Sequence, residues 1–349
     1  MMEGFTTSPS DVDTLVAVAL SWQWFTIIQL VLALFGILGN SLVIIVYVKK
    51  LRNRSNSNKL IVMLAVADLI TSVAIIPIPS LTYVPNSAVG RVYCIFTYSA
   101  VIMWISIVAS IFTLTLLSLE RYFAIVRPIK HRTVFSTHRT KYYITAIWIS
   151  ALGVNSIHFH ITRVDDTMNK CVLIWPSPAL QVFHGVCIFL VEFAVPVTVM
   201  VVSHYCAIRK LQEQATVLLK RNESTSSPAF SLLRCRAYVI RMVLMVVIIF
   251  IICWSPDQVA YFLLNLNALP TGYFGSKVYR LFAVLAFINS CVNPLIYICL
   301  NKNFRVALMQ LVPCKWKIGL ATGSELDTLS RRLGSVRETK VNQPTVHFC

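Results

Sequence analysis

The chain has 349 residues, 57% of them hydrophobic and only 13% charged, with 31 Lys and Arg against 14 Asp and Glu for a net charge of +17. This composition excludes an average soluble domain and points to a protein held in a membrane. The positive excess lies in short segments between apolar runs, so it reflects topology and contact with an anionic leaflet, and it argues against nucleic acid as a partner.

A run of about 20 apolar residues crosses a bilayer. The chain offers such runs over Trp24 to Val48, Leu60 to Tyr83, Ile95 to Leu119, Tyr142 to Ile161, Leu180 to Ile208, Met242 to Leu266 and Val278 to Leu300. The expected fold class is all-α: a seven-transmembrane helix bundle over 24–300, an amphipathic eighth helix over 301–313 and a disordered tail over 314–349. The leading segment, 1–23, holds Glu3, Asp11 and Asp13 and no Lys or Arg, and carries no recognisable cleavable signal. It is expected to cross outward uncleaved.

Counting Lys and Arg on alternate loops, with Arg121, gives 26 on one side and five on the other (Arg91, Arg163, Lys170, Lys277 and Arg280). The positive-inside rule then places the Arg121 side in the cytoplasm and the amino terminus outside.

The first span contains FGILGNSLVI, where Gly36 and Gly39 permit close helix contact and the amide of Asn40 needs buried partners. The second holds Asp68, and Pro77 and Pro79 are expected to kink its outer part. The third carries Ser110 and ends in Glu120-Arg121-Tyr122, an acid, a guanidinium and a phenol whose cost in hydrocarbon places them at the membrane edge. There Glu120 can hold Arg121 until a partner offers something better, or the two form a snorkelling charge pair that only marks the helix end. The fourth contains Trp148, Asn155, His158 and His160, and the fifth has Glu192 and Pro196 on one face.

A hydrophilic loop is expected over roughly 210–236. In the sixth span Phe250, Trp254, Asp257 and Tyr261 recur at helical spacing. The seventh ends in Asn289-Ser290-Cys291-Val292-Asn293-Pro294-Leu295-Ile296-Tyr297, and in the following helix Phe304 and Leu308 are expected to face lipid. Ser224, Ser330 and Ser335 are plausible phosphorylation sites.

Cysteines sort by location. Cys187, Cys206, Cys253, Cys291 and Cys299 lie within spans and Cys235 at a cytoplasmic edge, and they read as packing residues. Cys94 and Cys171 face the oxidising side and are expected to be bonded. Cys314, after a basic amphipathic stretch, is a palmitoylation candidate.

The interiors of the spans hold three acids, Asp68, Glu192 and Asp257, and no Lys or Arg. An unpaired carboxylate at that depth costs about 3 kcal/mol or more, so each must be protonated, hydrated or neutralised by a cation from outside the chain. Ser110, Asn289, Ser290 and Asn293 would give Asp68 hard-donor company suited to sodium, or a hydrated polar cluster. Glu192 and Asp257 would read a cationic group on a ligand, or pair with His184 or Tyr261.

Gly39-Asn40, Leu64 to Leu69, Glu120-Arg121-Tyr122, Trp148, Pro196, Cys253-Trp254-Ser255-Pro256 and Asn293 to Tyr297, in this order, resemble the rhodopsin-like (class A) G-protein-coupled receptors. The resemblance implies a sodium site at Asp68, Ser110, Asn289, Ser290 and Asn293, with no other cofactor. It also implies a toggle at Trp254, a packing switch of Ile111, Pro196 and Phe250, and release of Arg121 and Tyr297 beyond Pro294 to admit a G protein. Arrestin and receptor kinases are further implied partners, and no enzymatic activity is implied. The stretch SIFTLTLLSLERYFAIVRP is similar to neuropeptide receptors of the galanin, somatostatin and allatostatin kind. A basic or amidated peptide would then meet Met103, His184, Glu192, Trp254, Asp257, Gln258, Tyr261 and Tyr279.

Met103 stands where amine receptors carry Asp and Phe287 where opsins carry Lys, which argues against both. Cys94 precedes Arg121 by 27 residues, about two more than the pattern, so a bulge or late start is expected at the top of the third helix. His204 replaces a usual tyrosine, and Arg236 replaces an acid that partners Arg121 in some members. Asn53 and Asn222 begin cytoplasmic sequons that should stay unglycosylated. A receptor for a non-peptide small molecule is the alternative. A cation-coupled transporter is less favoured because no internal repeat is visible, and an intramembrane hydrolase because no nucleophile with a base is visible.

Overall fold

The computed structural model describes residues 16–17, 22–50, 56–221, 227–270, 272–273 and 276–311. Most of 1–23, the whole tail from 312, and Asn53, Asn222, Ser224, Cys314, Ser330 and Ser335 lie outside the described residues. Among those described, seven helices are long and apolar enough to cross a membrane: Trp24–Lys50, Asn56–Ala74, Ala88–Val126, Thr137–Ile161, Pro178–Lys220, Pro228–Asn265 and Lys277–Leu300. They are called the first to seventh spans. The third packs against the second, fourth, fifth and sixth and forms the axis of the bundle, while the first closes the ring against the second and seventh.

Between helices in lipid there is little hydrophobic driving force, and close backbone approach does the packing. A Cβ on Gly36 would stand 2.2 Å from Ser72 Oγ, and one on Gly39 would stand 2.9 Å from Pro294 Cγ. These two glycines let the first span lie against the second and seventh. Asn40 Nδ2 then donates to the carbonyls of Gly36 and Ser290, each at 3.0 Å, which provides the expected buried partners.

Several span beginnings share one local cause. Ser136, Ser177, Ser227 and Ser276 each accept a hydrogen bond from the amide three residues on, and Pro178 and Pro228 follow two of them at the first helical position. A hydroxyl acceptor satisfies an orphan amide, and proline loses no bond there.

The second span differs from expectation. It ends at Ala74, and Leu81–Tyr83 is extended and pairs with Val16–Ala17. Pro77 and Pro79 stop the helix instead of kinking it, because each lacks the amide for the next turn and its ring clashes with the carbonyl four residues back. The third span contains the anticipated irregularity. Tyr93–Tyr98 is a π-helical segment, and Ala100 is left-handed at φ 52° before Val101–Val126 resumes as α-helix.

The hydrophilic segment expected over 210–236 is largely helical. The fifth span runs on to Lys220 and the sixth begins at Pro228, because Leu211, Leu218 and Leu219 sustain helix beyond the apolar run and Ser227-Pro228 starts the next helix early.

The eighth helix, Lys302–Leu311, starts at the Asn301 side chain, whose Oδ1 accepts from the Phe304 amide at 3.0 Å. Phe304 and Leu308 do not face lipid. Phe304 is 0% exposed, with its ring 5.8 Å from Tyr47 and 6.2 Å from Tyr297, so the apolar stripe seals the end of the bundle. Arg305 Nη1 donates to the carbonyls of Ile298 and Cys299, closing the end of the seventh span.

Cys94 and Cys171 are disulfide-bonded with Cα atoms 5.4 Å apart. The bond ties a hairpin, Thr162–Asp165 paired antiparallel with Lys170–Leu173, over the end of the third span. At its turn the Thr167 hydroxyl and the amides of Thr167 and Met168 donate to the Asp165 carboxyl and hold it below the usual carboxylate range. Their help to the turn is therefore present at neutral pH and is lost as acid protonates the group. Cys187, Cys206, Cys253, Cys291 and Cys299 are free thiols, whereas the half-buried Cys235 is engaged in a disulfide, contrary to its packing assignment.

Candidate functional site

Three polar layers lie along the bundle axis. Nearest the Cys94 end, Glu192, Asp257, Gln258, Trp254 and Met103 are between 1% and 9% exposed, so the two acids sit inside the bundle and do not line an open mouth. Glu192 falls in a second π-helical segment, Phe189–Ala194, whose extra residue per turn rotates it inward. The Gln258 side chain hydrogen-bonds Glu192, and Asp257 lies within electrostatic reach of Glu192, Tyr261, Tyr273 and Tyr279. Among the described residues no ion pair neutralises either carboxylate. Trp254 Nε1 and Gln258 Oε1 are buried without partners, in a layer already short of counterparts. Tyr261 and Tyr279 are half-buried at its edge. His184 stands apart: its ring packs on Trp175 at 5.2 Å, and neither ring nitrogen has a partner, so it does not pair with Glu192.

The middle layer surrounds Asp68, which is 0% exposed. Ser110 Oγ donates to Oδ1 at 2.9 Å and Asn293 Nδ2 to Oδ2 at 2.7 Å, and the Ser290 hydroxyl also bonds the carboxylate. Second, third and seventh spans therefore meet on one group. Asn289 is buried nearby in sequence, but no hydrogen bond joins it to Asp68. Thr71 and Ser106 extend the polar track through a 2.8 Å contact. All donors at this carboxylate are oxygens or amides, a hard set of the kind that suits an alkali cation. Directly beside the layer, Ile111, Phe250 and Trp254 belong to one buried cluster and Pro196 is buried in the fifth span.

At the Arg121 end, Glu120 is 1% exposed and is held on several sides. Arg121 Nε reaches Oε2 at 2.5 Å and Nη2 reaches Oε1 at 2.6 Å, a two-pronged charge-assisted contact. Ser57 Oγ donates to Oε1 at 2.9 Å and also meets Arg121. His131 Nε2 lies 2.9 Å from Oε1, with its ring stacked on Phe135. The sequence reading gave neither Ser57 nor His131 a role. The signal was the eleven-residue step from Glu120 to His131 across the Arg127-Pro128 break, which folds the short helix Pro128–Val134 back under the third span. Tyr122 is half-buried and packs edge-on to Phe123. Tyr297 is 1% exposed, and its hydroxyl has no partner. His204 bonds the Met200 carbonyl through Nδ1 at 2.9 Å and leaves Nε2 unpartnered. Both groups are therefore available for a different packing of this end.

Comparison with known proteins adds two findings. The family model described as 7 transmembrane receptor (rhodopsin family) matches residues 39–297. The chain is also similar to the allatostatin-A receptor of Bombyx mori, with 30% identity over 293 residues, covering 81% of this chain and 78% of that one.

Proposed function

The chain belongs to the rhodopsin family of seven-transmembrane receptors, in which G-protein coupling is the general function, and from that premise we propose that it is a plasma-membrane receptor for a neuropeptide. Its amino terminus lies outside and it performs no catalysis. The observation that carries the ligand reading is the pair Glu192 and Asp257, buried with no cationic partner among the described residues at the end of the bundle where the hairpin is tied by the disulfide. A cationic group on an arriving ligand supplies the missing charge. The similarity to an allatostatin-A receptor supports a peptide as its carrier.

Transmission is a population shift: ligand and G protein each bind the separated form of the bundle better than the closed one, and each favours the other's binding. Trp254, with the packing of Ile111, Pro196 and Phe250, links the acid layer to the Asp68 layer. Release of Arg121 from Glu120 and movement of Tyr297 beyond Pro294 then open the far end to the G protein, with arrestin and receptor kinases as later partners. A library of peptides applied to cells expressing the full chain, read by nucleotide exchange on several G proteins, is expected to give peptide-dependent exchange. Ligand-driven uptake of solute without exchange would show a transporter instead.

The oxygen-rich shell of Asp68 supports a sodium ion held by Asp68, Ser110, Asn289, Ser290 and Asn293 in the closed form. Replacing sodium by a bulky organic cation is then expected to raise agonist affinity about fivefold or more, a coupling on the scale of 1 kcal/mol. In Asp68→Asn that response disappears. Sodium sensitivity that survives in the variant, measured by radioligand or fluorescence binding, would eliminate this site.

A further inference from the structure

The fifth and sixth spans run past the apolar core at the Arg121 end and leave between them a cleft of about 430 Å³. Its walls are apolar, formed by Leu211, Phe230, Leu233 and Leu244 among others, and two cations stand on it, Arg234 and Arg241. Both guanidiniums are on exposed residues, and neither has an acidic partner among the described residues. The acid on the facing helix, Glu213, is occupied by Lys210 at 2.8 Å. Seven residues separate the two arginines, so they share one helix face at depths roughly 10 Å apart. Arg241 adjoins the apolar run that begins at Met242, and Arg234 reaches beyond it.

We propose that this cleft is a binding site for an inositol phospholipid carrying more than one phosphate. Given the orientation proposed above, it opens at the inner leaflet, whose surface is anionic. The phosphodiester lies level with Arg241, the ring phosphates reach Arg234, and the start of an acyl chain contacts Leu244 at the upper end of the cleft. A head group with charge at a single depth satisfies one arginine and leaves the other without a partner. Each arginine near the surface contributes on the order of 1 kcal/mol to such binding, so the second arginine gives a preference of about fivefold over a head group that satisfies only one.

The full chain reconstituted in phosphatidylcholine nanodiscs, with a few per cent of either phosphatidylinositol bisphosphate or phosphatidylserine, tests this by native mass spectrometry of retained lipid. The bisphosphate lipid is expected to be retained about fivefold over phosphatidylserine. Arg234→Gln with Arg241→Gln abolishes the preference. Ala237→Phe, which fills the cleft and keeps both charges, also abolishes it, while thermal unfolding of each variant checks that the bundle is intact. A preference for the bisphosphate lipid that survives undiminished in the double variant would overturn the proposal, as would retention unchanged by Ala237→Phe, which would leave the cleft to a protein partner. Free inositol trisphosphate bound as tightly as the lipid would also overturn it, by showing a phosphate site without a lipid.

Discussion

Glu120→Gln is expected to raise nucleotide exchange in the absence of ligand. The carboxylate is buried and holds Arg121 through two contacts of 2.5 and 2.6 Å, with Ser57 and His131 completing its shell. The neutral amide keeps the shape but loses the charge, and hydrogen bonds to a charged group contribute about 2 kcal/mol. In the proposed mechanism Arg121 leaves Glu120 on opening, so that loss is confined to the closed form. The closed-to-open ratio therefore falls about thirtyfold. His131→Ala removes one contact and keeps the ion pair, so a smaller rise is expected from it. Exchange on purified G protein, with receptor number normalised by ligand-independent labelling, reads both. Basal exchange in Glu120→Gln equal to that of the native chain would show that this contact does not restrain the closed form.

The second large effect concerns the opposite end. Asp257→Asn and Glu192→Gln each preserve volume and remove one of two buried carboxyls that no cation balances among the described residues. The unliganded receptor should gain thermal stability from either change, since a buried carboxyl without a cation is costly either to ionise or to hold neutral. Potency of a cationic ligand should fall by about 2 kcal/mol per site, roughly thirtyfold, because a charge-assisted contact is lost. Opposite signs for stability and potency distinguish a reading site from a structural one. In a structural cluster both quantities fall together.

Much of this was legible in the chain. Apolar length identified the spans, and the lack of Lys or Arg opposite Asp68, Glu192 and Asp257 marked the interior layers before any contact was known. Glycine spacing foretold the approach of the first span, and the extra residues between Cys94 and Arg121 foretold an irregularity at the top of the third span, which takes the form of a π-helical segment and a left-handed Ala100. What escaped depends on tertiary context. Whether Pro77 and Pro79 bend a helix or end it turns on whether neighbours satisfy the freed carbonyls. Phe304 has the same periodicity whether it faces lipid or the rings of Tyr47 and Tyr297, and only the path of the chain after Asn301 decides. His131 became part of the Glu120 shell through the fold of a loop helix, to which hydrophobic patterning is blind. The π-helical turn that brings Glu192 inward leaves no mark on apolar spacing either.

The central claim, that two internal carboxylates wait for a positive group delivered from outside, is tested most directly by pooled peptides sorted by the presence or absence of Lys and Arg. Each pool is applied to the native chain and to the Glu192→Gln, Asp257→Asn double variant, with exchange as the readout. The account predicts exchange from basic pools on the native chain and its loss, by about a hundredfold or more in potency, on the double variant. Equal exchange from neutral pools, with undiminished potency on the double variant, would contradict it.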